Sequence, residues 1–493
     1  MSGSTSGAGG SGRTRATAHE LARYEALFAA RTHTMKSSAM REMMALTEQP
    51  DVISLAGGLP DTSTFPPELF AALFDEVAAT ATARALQYGP TEGMAAAVDC
   101  VVEVMTTEGT IVDRDEVIIT TGGQQVIDLV CKALIDPGDV IVAEAPTYPG
   151  AVPTFGAYQA DVAQIEMDGE GMPIDELERA LDRLAAEGRR PKFIYTIPNF
   201  QNPGGETMSL ARRRELVGLA RERELLVLED NPYGLLRYEG EALPTLYSLD
   251  AQAGGTRGGA DLVIYLGTFS KILSPGVRLG WAVAPRPVLE KLNLGKQGAD
   301  LCSSPVTQLF VAEYFKRREA DGEPAWLAYL EKLRALYGRR RDVMLEALEE
   351  HFGERGRWTR PRGGMFIWAT LDGRIDTTDL LALARTTERV AFVPGSAAYV
   401  DGRSGASSMR LNFAGNSEEH IREGIRRIGS AVRTQAGLID TLTGSPTRAT
   451  RASAGGGAPD EPPLQENDKT GLADVVELRR RGAGGSARRR GDG

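Results

Sequence analysis

Cysteine, histidine and long apolar runs are scarce in this chain of 493 residues, and each scarcity excludes something. The three cysteines (Cys100, Cys131 and Cys302) and four histidines are scattered. They form no CxxC pair and no His-rich cluster, so neither a disulfide framework nor a zinc site is supported, and no metal is expected. Reduced thiols fit a cytoplasmic protein. No stretch of about 18 apolar residues occurs, so no membrane-spanning helix is expected. The N-terminus, MSGSTSGAGGSGRTRATAHE, lacks the apolar core of a secretory signal. Surplus positive charge is missing too. Lys and Arg number 56 against 67 Asp and Glu, leaving −11, the wrong sign for general binding to nucleic-acid phosphates. No internal repeat is evident.

What is present is the profile of a soluble globular protein, 42% hydrophobic and 25% charged. The length suits a large domain, a smaller one and tails. Residues 1–18 are rich in Gly, Ser and Thr and read as a disordered tail. Residues 437–493 are low in bulky apolar residues, end in Arg triplets and read as a second tail. Its LADVVEL segment is a candidate for a short helix on a partner. Between the tails, apolar runs alternate with amphipathic stretches. VIIT (117–120), VIVAE (140–144), FIYTIP (193–198), LLVLED (225–230) and LVIYLGTFS (262–270) predict buried strands, with helical patterns such as LARRRELVGLARERE (210–224) between them. That order predicts an α/β fold with a mostly parallel sheet covered on both faces. From about residue 325, a long charged helical pattern leads into GGMFIWATL, DLLALARTT and SMRLNFA, the mark of a smaller α+β domain. The expected division is an N-terminal segment at 19–60, a large domain at 61–324 and a small domain at 325–436.

Active sites in parallel sheets lie at the carboxyl ends of the strands, so chemically distinctive residues just after these runs are the candidates. VIITTGGQQ ends a strand in glycines before a helix. Free N–H groups and the helix dipole there form an anion site, although glycine turns before helices are also simply structural. LLVLEDNPYG puts Asp230 at the end of an apolar strand, where a carboxylate needs a partner. A helix cap, a buried salt bridge or a cofactor's pyridinium N–H would each serve. GTFSKILSPGVRLGW places Lys271 after Thr268 and Ser270 and before Arg278. A lysine that forms a Schiff base needs partial desolvation, and the hydroxyls and guanidinium suit a phosphate ester. In IYTIPNFQNPGG, Asn202 either caps its own turn or donates to a phenolate oxygen, as Tyr233 would. Tyr148, in EAPTYPG, is placed to stack on a ring.

Taken together, SLAGGLPD (54–61), LQYGPTEG (86–93), TTGGQQ (120–125), EAPTYPG (144–150), PNFQNPGG (198–205), EDNPYG (229–234), GTFSKILSPGVRLGW (267–281), RPRGGMFIW (360–368) and SMRLNFA (408–414) resemble the fold-type-I, class I/II aminotransferases that use pyridoxal 5′-phosphate (PLP). The resemblance runs from about residue 30 to 432 and points to the branch of 2-aminoadipate and kynurenine aminotransferases. It implies a seven-stranded, mostly parallel sheet in the large domain. It also implies roles. Lys271 would carry PLP as a Schiff base. Asp230 would pair with the pyridine nitrogen. Asn202 and Tyr233 would contact the phenolate, and Tyr148 would stack on the ring. Gly123, Gln124, Thr268, Ser270 and Arg278 would hold the phosphate. Arg410, helped by Gly58 and Asn202, would bind the substrate carboxylate. Tyr88 would reach into the partner's phosphate site in a homodimer.

Two positions depart from the family's pattern. Gly123 stands where serine is common, and Thr34 aligns with an arginine that meets the distal carboxylate of 2-aminoadipate, though Arg31 and Lys36 are close by. The resemblance implies ping-pong transfer of an amino group from an L-amino acid (2-aminoadipate, aromatic or branched-chain) to a 2-oxo acid, 2-oxoglutarate first among them. The freed Lys271 amine would shuttle the Cα proton. Alternatives on the same fold are a PLP-dependent lyase or decarboxylase and a PLP-sensing transcription regulator without its DNA-binding domain.

Overall fold

The computed structural model describes residues 23–33, 35, 51–254 and 259–443. The expected tail at 1–18, the LADVVEL segment, Thr34 and Lys36 lie outside them. Two compact units divide at Thr443, and the second, Gly444–Gly493, lies wholly outside the described residues.

Among these residues the strands are β1 (Ile53–Ser54), β2 (Val117–Thr120), β3 (Val140–Ala145), β4 (Asp161–Glu166), β5 (Phe193–Thr196), β6 (Leu226–Asp230), β7 (Val263–Thr268), β8 (Gly280–Val283), β9 (Gly356–Trp358), β10 (Phe366–Leu371), β11 (Val390–Ala391), β12 (Val393–Pro394) and β13 (Ser408–Asn412). Seven form one sheet in the order β2-β8-β7-β6-β5-β3-β4. Only β8 runs antiparallel to its neighbours. The five apolar runs supply β2, β3, β5, β6 and β7. The other two strands gave no such signal. β4, DVAQIE, is an edge strand with exposed and half-buried positions, and β8, GWAV, is too short to stand out from its loop.

Side chains alternate across a strand, and the sheet sorts them into two cores. Ile118, Ile141, Phe193, Tyr195, Leu228, Ile264, Leu266 and Ala282 face one cluster with Val126, Ile127 and Val130 of the helix Gly123–Leu134. Ile119, Val142, Ile194, Val227, Val263, Tyr265 and Trp281 face the other. A sheet buried on both faces explains why its strands read as continuous apolar runs.

A four-stranded antiparallel sheet, β12-β13-β10-β9, forms beyond the long helix Ala325–Phe352. β1 pairs in parallel with β11, Ile53 opposite Val390, which brings the segment after residue 51 beside the C-terminal elements. The last described helix, Glu418–Thr443, runs past the expected tail boundary at 437. The reason is tertiary: Ala436 and Ile439 pack on the core, and Asp440 accepts an ion pair from Arg374 at 3.0 Å. No described helix is long and apolar enough to cross a membrane.

Candidate active site

The carboxyl ends of five strands, β2, β3, β5, β6 and β7, build the site, and β13 adds Arg410. After β2, the chain turns at Thr121–Gly122 into the helix beginning at Gly123. Gly122 has φ +82°, a backbone conformation that favours glycine, and the Arg278 guanidinium packs where a Cβ would stand. Arg278 itself sits in the left-handed region at φ +48° and donates to the Thr121 carbonyl at 3.2 Å. After β7, the Thr268 hydroxyl donates to Ser270 Oγ at 2.9 Å and accepts from the Ser270 N–H at 3.1 Å. A helix N-terminus, two hydroxyls and a guanidinium therefore converge, the donor set a phosphate ester needs. Gln124 lines the cavity, but its side-chain amide donates to Thr154 Oγ1 at 2.8 Å and to the Gly150 carbonyl at 3.2 Å.

Lys271 follows in the same turn. Its Nζ donates to the Gly58 carbonyl at 2.7 Å. Burial pushes the amine down to about 8, and the positive charges of Arg410 and Arg278 push the same way. Asp230, at the end of β6, is 5% exposed. Burial lifts its carboxyl to about 6, and a 2.6 Å hydrogen bond from Tyr195 Oη to Oδ2 draws it back. Tyr233 and Tyr148 both have phenols raised by burial. Asn202 joins the two halves of the site: its Nδ2 lies 3.4 Å from Tyr233 Oη, and its Oδ1 accepts from Arg410 Nη1 at 3.0 Å. Arg410 is fully buried on β13. It donates from Nη2 to the Ala56 carbonyl at 2.7 Å, lies 4.3 Å above the Phe366 ring, and is held down to about 10 by burial.

These residues line one cavity of about 540 Å³, completed by Leu59, Ile127, Ile197, Pro232, Leu266, Pro275, Gly276 and Phe366. Of the sequence-derived candidates only Tyr88 is elsewhere. It is 77% exposed on the surface of this chain.

Residues 50–428 match the family described as aminotransferase class I and II. The chain belongs to that family. It is 42% identical over 413 residues to aromatic-amino-acid aminotransferase 1 of Thermococcus litoralis, covering 84% of this chain and 95% of the relative. It is 39% identical over 406 residues to the 2-aminoadipate transaminase of Thermus thermophilus, covering 82% and 96%. In structure it resembles the α-aminoadipate aminotransferase of Thermus thermophilus complexed with N-(5′-phosphopyridoxyl)-L-leucine. The TM-score is 0.76 at 37% identity, covering 84% of this chain and 99% of that one. The fold is that of the fold-type-I aminotransferases, with the large, mostly parallel sheet that the resemblance implied.

The cofactor of this family is PLP, and the aminotransferase's own donors fit it. The cavity is lined by an anion cup, a buried carboxylate, an amine that burial brings down to about 8 and a fully buried guanidinium.

Sequence reasoning missed several residues here. Tyr195 is one apolar-looking position inside β5, and only the pairing of β5 with β6, Tyr195 opposite Leu228, places it on the face that carries Asp230. Leu266 presses against the phosphate turn: a Cβ on Gly123 would lie 2.9 Å from its Cδ2. That contact gives a local reason for glycine at 123. Leu59, Ile197 and Phe366 had no chemical signature, being apolar residues among many.

Proposed function

We propose that this PLP-dependent aminotransferase takes its amino group from L-amino acids of the aromatic, 2-aminoadipate or branched-chain type. It passes the group to 2-oxoglutarate by a ping-pong sequence. The observation that carries this reading is the convergence of Lys271, Asp230 and Arg410 on one cavity. The names of the relatives, aromatic-amino-acid aminotransferase and 2-aminoadipate transaminase, support the donor classes.

PLP, when bound, supplies the electron sink that lets the Cα–H bond of an amino acid ionise. The residues do the rest. Lys271 would hold the cofactor covalently, and its Nζ, once free and neutral, would be the base placed to take the Cα proton and give it back. Asp230 would pair with the pyridine nitrogen. Tyr233 and Asn202 would donate to the phenolate, and Tyr148 would stack on the ring. Gly123 and Gln124 through the helix terminus, with Thr268, Ser270 and Arg278, would hold the phosphate. Arg410 binds the substrate α-carboxylate with Asn202 and the backbone at Gly58, and its burial strengthens the ion pair by excluding water.

The proposed active unit is a cytoplasmic homodimer in which Tyr88 reaches the partner's phosphate site, in keeping with its exposure here. Within each chain the proposed division is a large domain at 61–324 and a small one from 325 through the helix that ends at Thr443, with residues 19–60 shared between the small domain and the site.

A panel of aromatic, acidic and branched-chain amino acids with 2-oxoglutarate, scored by glutamate formed and kcat/KM, tests the reading. Parallel double-reciprocal lines are expected. Release of CO₂ or ammonia without glutamate would contradict it.

A further inference from the structure

We infer that Tyr195 is a positioning residue for the reaction, orienting Asp230 and holding its charge against the cofactor ring. The inference rests on the reading that Asp230 faces the pyridine nitrogen.

The geometry is specific. Asp230 ends β6, and Tyr195 lies on the adjacent parallel strand β5, opposite Leu228. Side chains two residues apart on a strand share a face, so Asp230 and Tyr195 project to the same side of the sheet. There Tyr195 Oη donates to Asp230 Oδ2 at 2.6 Å. Tyr195 is the one side-chain donor to Asp230 among the described residues. Tyr195 is fully buried and its ring meets Phe155 edge-on, with centroids 5.4 Å apart. The phenol thus packs behind Asp230, which lines the cavity.

A carboxylate has two oxygens. With Oδ2 held from below by Tyr195, Oδ1 is the oxygen left for a partner in the cavity that Asp230 lines. The bond therefore does two things. It fixes the rotation of the carboxylate, and it stabilises the charged form, as a donor to an ionised acceptor does. The other groups that bear on Asp230 do not replace it. Glu144 on β3 is a buried carboxyl. It accepts from Thr196 Oγ1, from Gln201 Nε2 at 3.0 Å and from the Ile197 N–H at 3.2 Å, so it is engaged with the loop that carries Asn202. Tyr233 is buried and Tyr148 half-buried, and desolvation raises both phenols, so both stay protonated. On β7, Leu266 stands opposite Asp230 and offers no polar atom, and Lys271 beyond it donates to Gly58. With the Glu144 charge acting on it and no cation of the described residues paired to it, the Tyr195 hydroxyl is the protein group that holds Asp230.

The reaction requires Asp230 ionised, so the sign is fixed. Losing the hydroxyl raises the Asp230 carboxyl, and the acid limb of the rate profile moves to higher pH. The test uses the holoenzyme and follows, in single turnover with amino acid alone, the decay of the cofactor's visible absorbance from pH 5 to 9. Tyr195→Phe keeps the ring against Phe155. It is expected to move the acid limb up by about one pH unit, the scale of one charge-assisted hydrogen bond. The plateau rate should fall roughly tenfold while the substrate concentration for half-saturation changes less than about threefold.

Replacement of Tyr195 by 3-fluorotyrosine preserves the shape and makes the phenol a stronger donor, and the limb is expected to move down. This arm reads out the bond even if Tyr195→Phe folds poorly. Unmoved acid limbs in the folded variants would overturn the inference. Asp230→Asn separates the two claims. If it collapses the rate and Tyr195→Phe then adds no further loss, the coupling is upheld. If it collapses the rate and Tyr195→Phe costs as much as in the wild-type background, Tyr195 does not act through Asp230. If Asp230→Asn leaves the holoenzyme rate unchanged, the role assigned to Asp230 itself fails.

Discussion

Lys271 Nζ and the Gly58 carbonyl are hydrogen-bonded at 2.7 Å across 213 residues of sequence. The bond ties the lysine to the segment that follows β1, and both residues line the cavity.

Lys271→Ala is expected to abolish turnover and the visible absorbance of the bound cofactor. The pH dependence of reconstitution is a separate test. Only the neutral amine attacks a carbonyl, and burial with Arg410 and Arg278 nearby puts Lys271 at about 8 rather than at the ordinary lysine value. Stopped-flow mixing of cofactor-free protein with PLP should therefore give a rate that climbs with pH and levels off above about 8. A rate still climbing tenfold per unit between pH 9 and 10 would mean an unshifted amine.

Arg410→Ala removes the fully buried guanidinium together with its hydrogen bonds to Asn202 Oδ1 and the Ala56 carbonyl. Because every amino acid has an α-carboxylate, KM should rise for all donors tested. The loss in kcat/KM should be roughly a hundredfold, the scale of one buried charged pair. A loss confined to one donor class would move Arg410 to side-chain recognition.

Gly123→Ser would add a phosphate-binding hydroxyl, but its Cβ would lie 2.9 Å from Leu266 Cδ2. We expect the single variant to lose about 1 kcal/mol of stability through overpacking. Gly123→Ser with Leu266→Ala should lose less than the two separate losses added together, and it should release PLP more slowly than Leu266→Ala alone. Thermal unfolding and PLP dissociation measured on all three variants check this. Strict additivity would mean that Leu266 is not what resists a side chain at 123.

The C-terminal boundary can be placed by truncation. Ending the chain after Thr443 is expected to leave the melting temperature and activity unchanged. Ending it after Ala436 removes the Ile439 packing and the Asp440–Arg374 ion pair. It should cost about 1–2 kcal/mol, mostly from apolar burial because the exposed pair contributes little. Equal melting temperatures for the two chains would make residues 437–443 dispensable.

Much of this site was legible in the sequence as a chemically distinctive residue just after an apolar run, whereas Arg410 lies inside β13. A buried strand announces itself by composition, and chemistry at its carboxyl end is visible because polar atoms are out of place there. Asp230, Lys271, Thr268, Ser270 and the glycines before the helix Gly123–Leu134 were all readable in that way. Strands lacking the apolar signal, β4 at the edge and the short β8, were not.

Adjacency was decided only in three dimensions. Asn202 and Arg410 meet across 208 residues. Leu266 lies under Gly123, and Tyr195 reaches Asp230 because β5 pairs with β6 in one register. A strand's own sequence states which residues share a face, but not which strand lies beside it. The final helix likewise runs to Thr443 because Arg374 and the core receive its last turns, partners that local composition does not name. By itself the sequence determined which chemically distinctive residues stand at the ends of its buried strands. The tertiary structure decided which neighbours tune them, because hydrogen bonding and desolvation depend on distances that chain order does not fix.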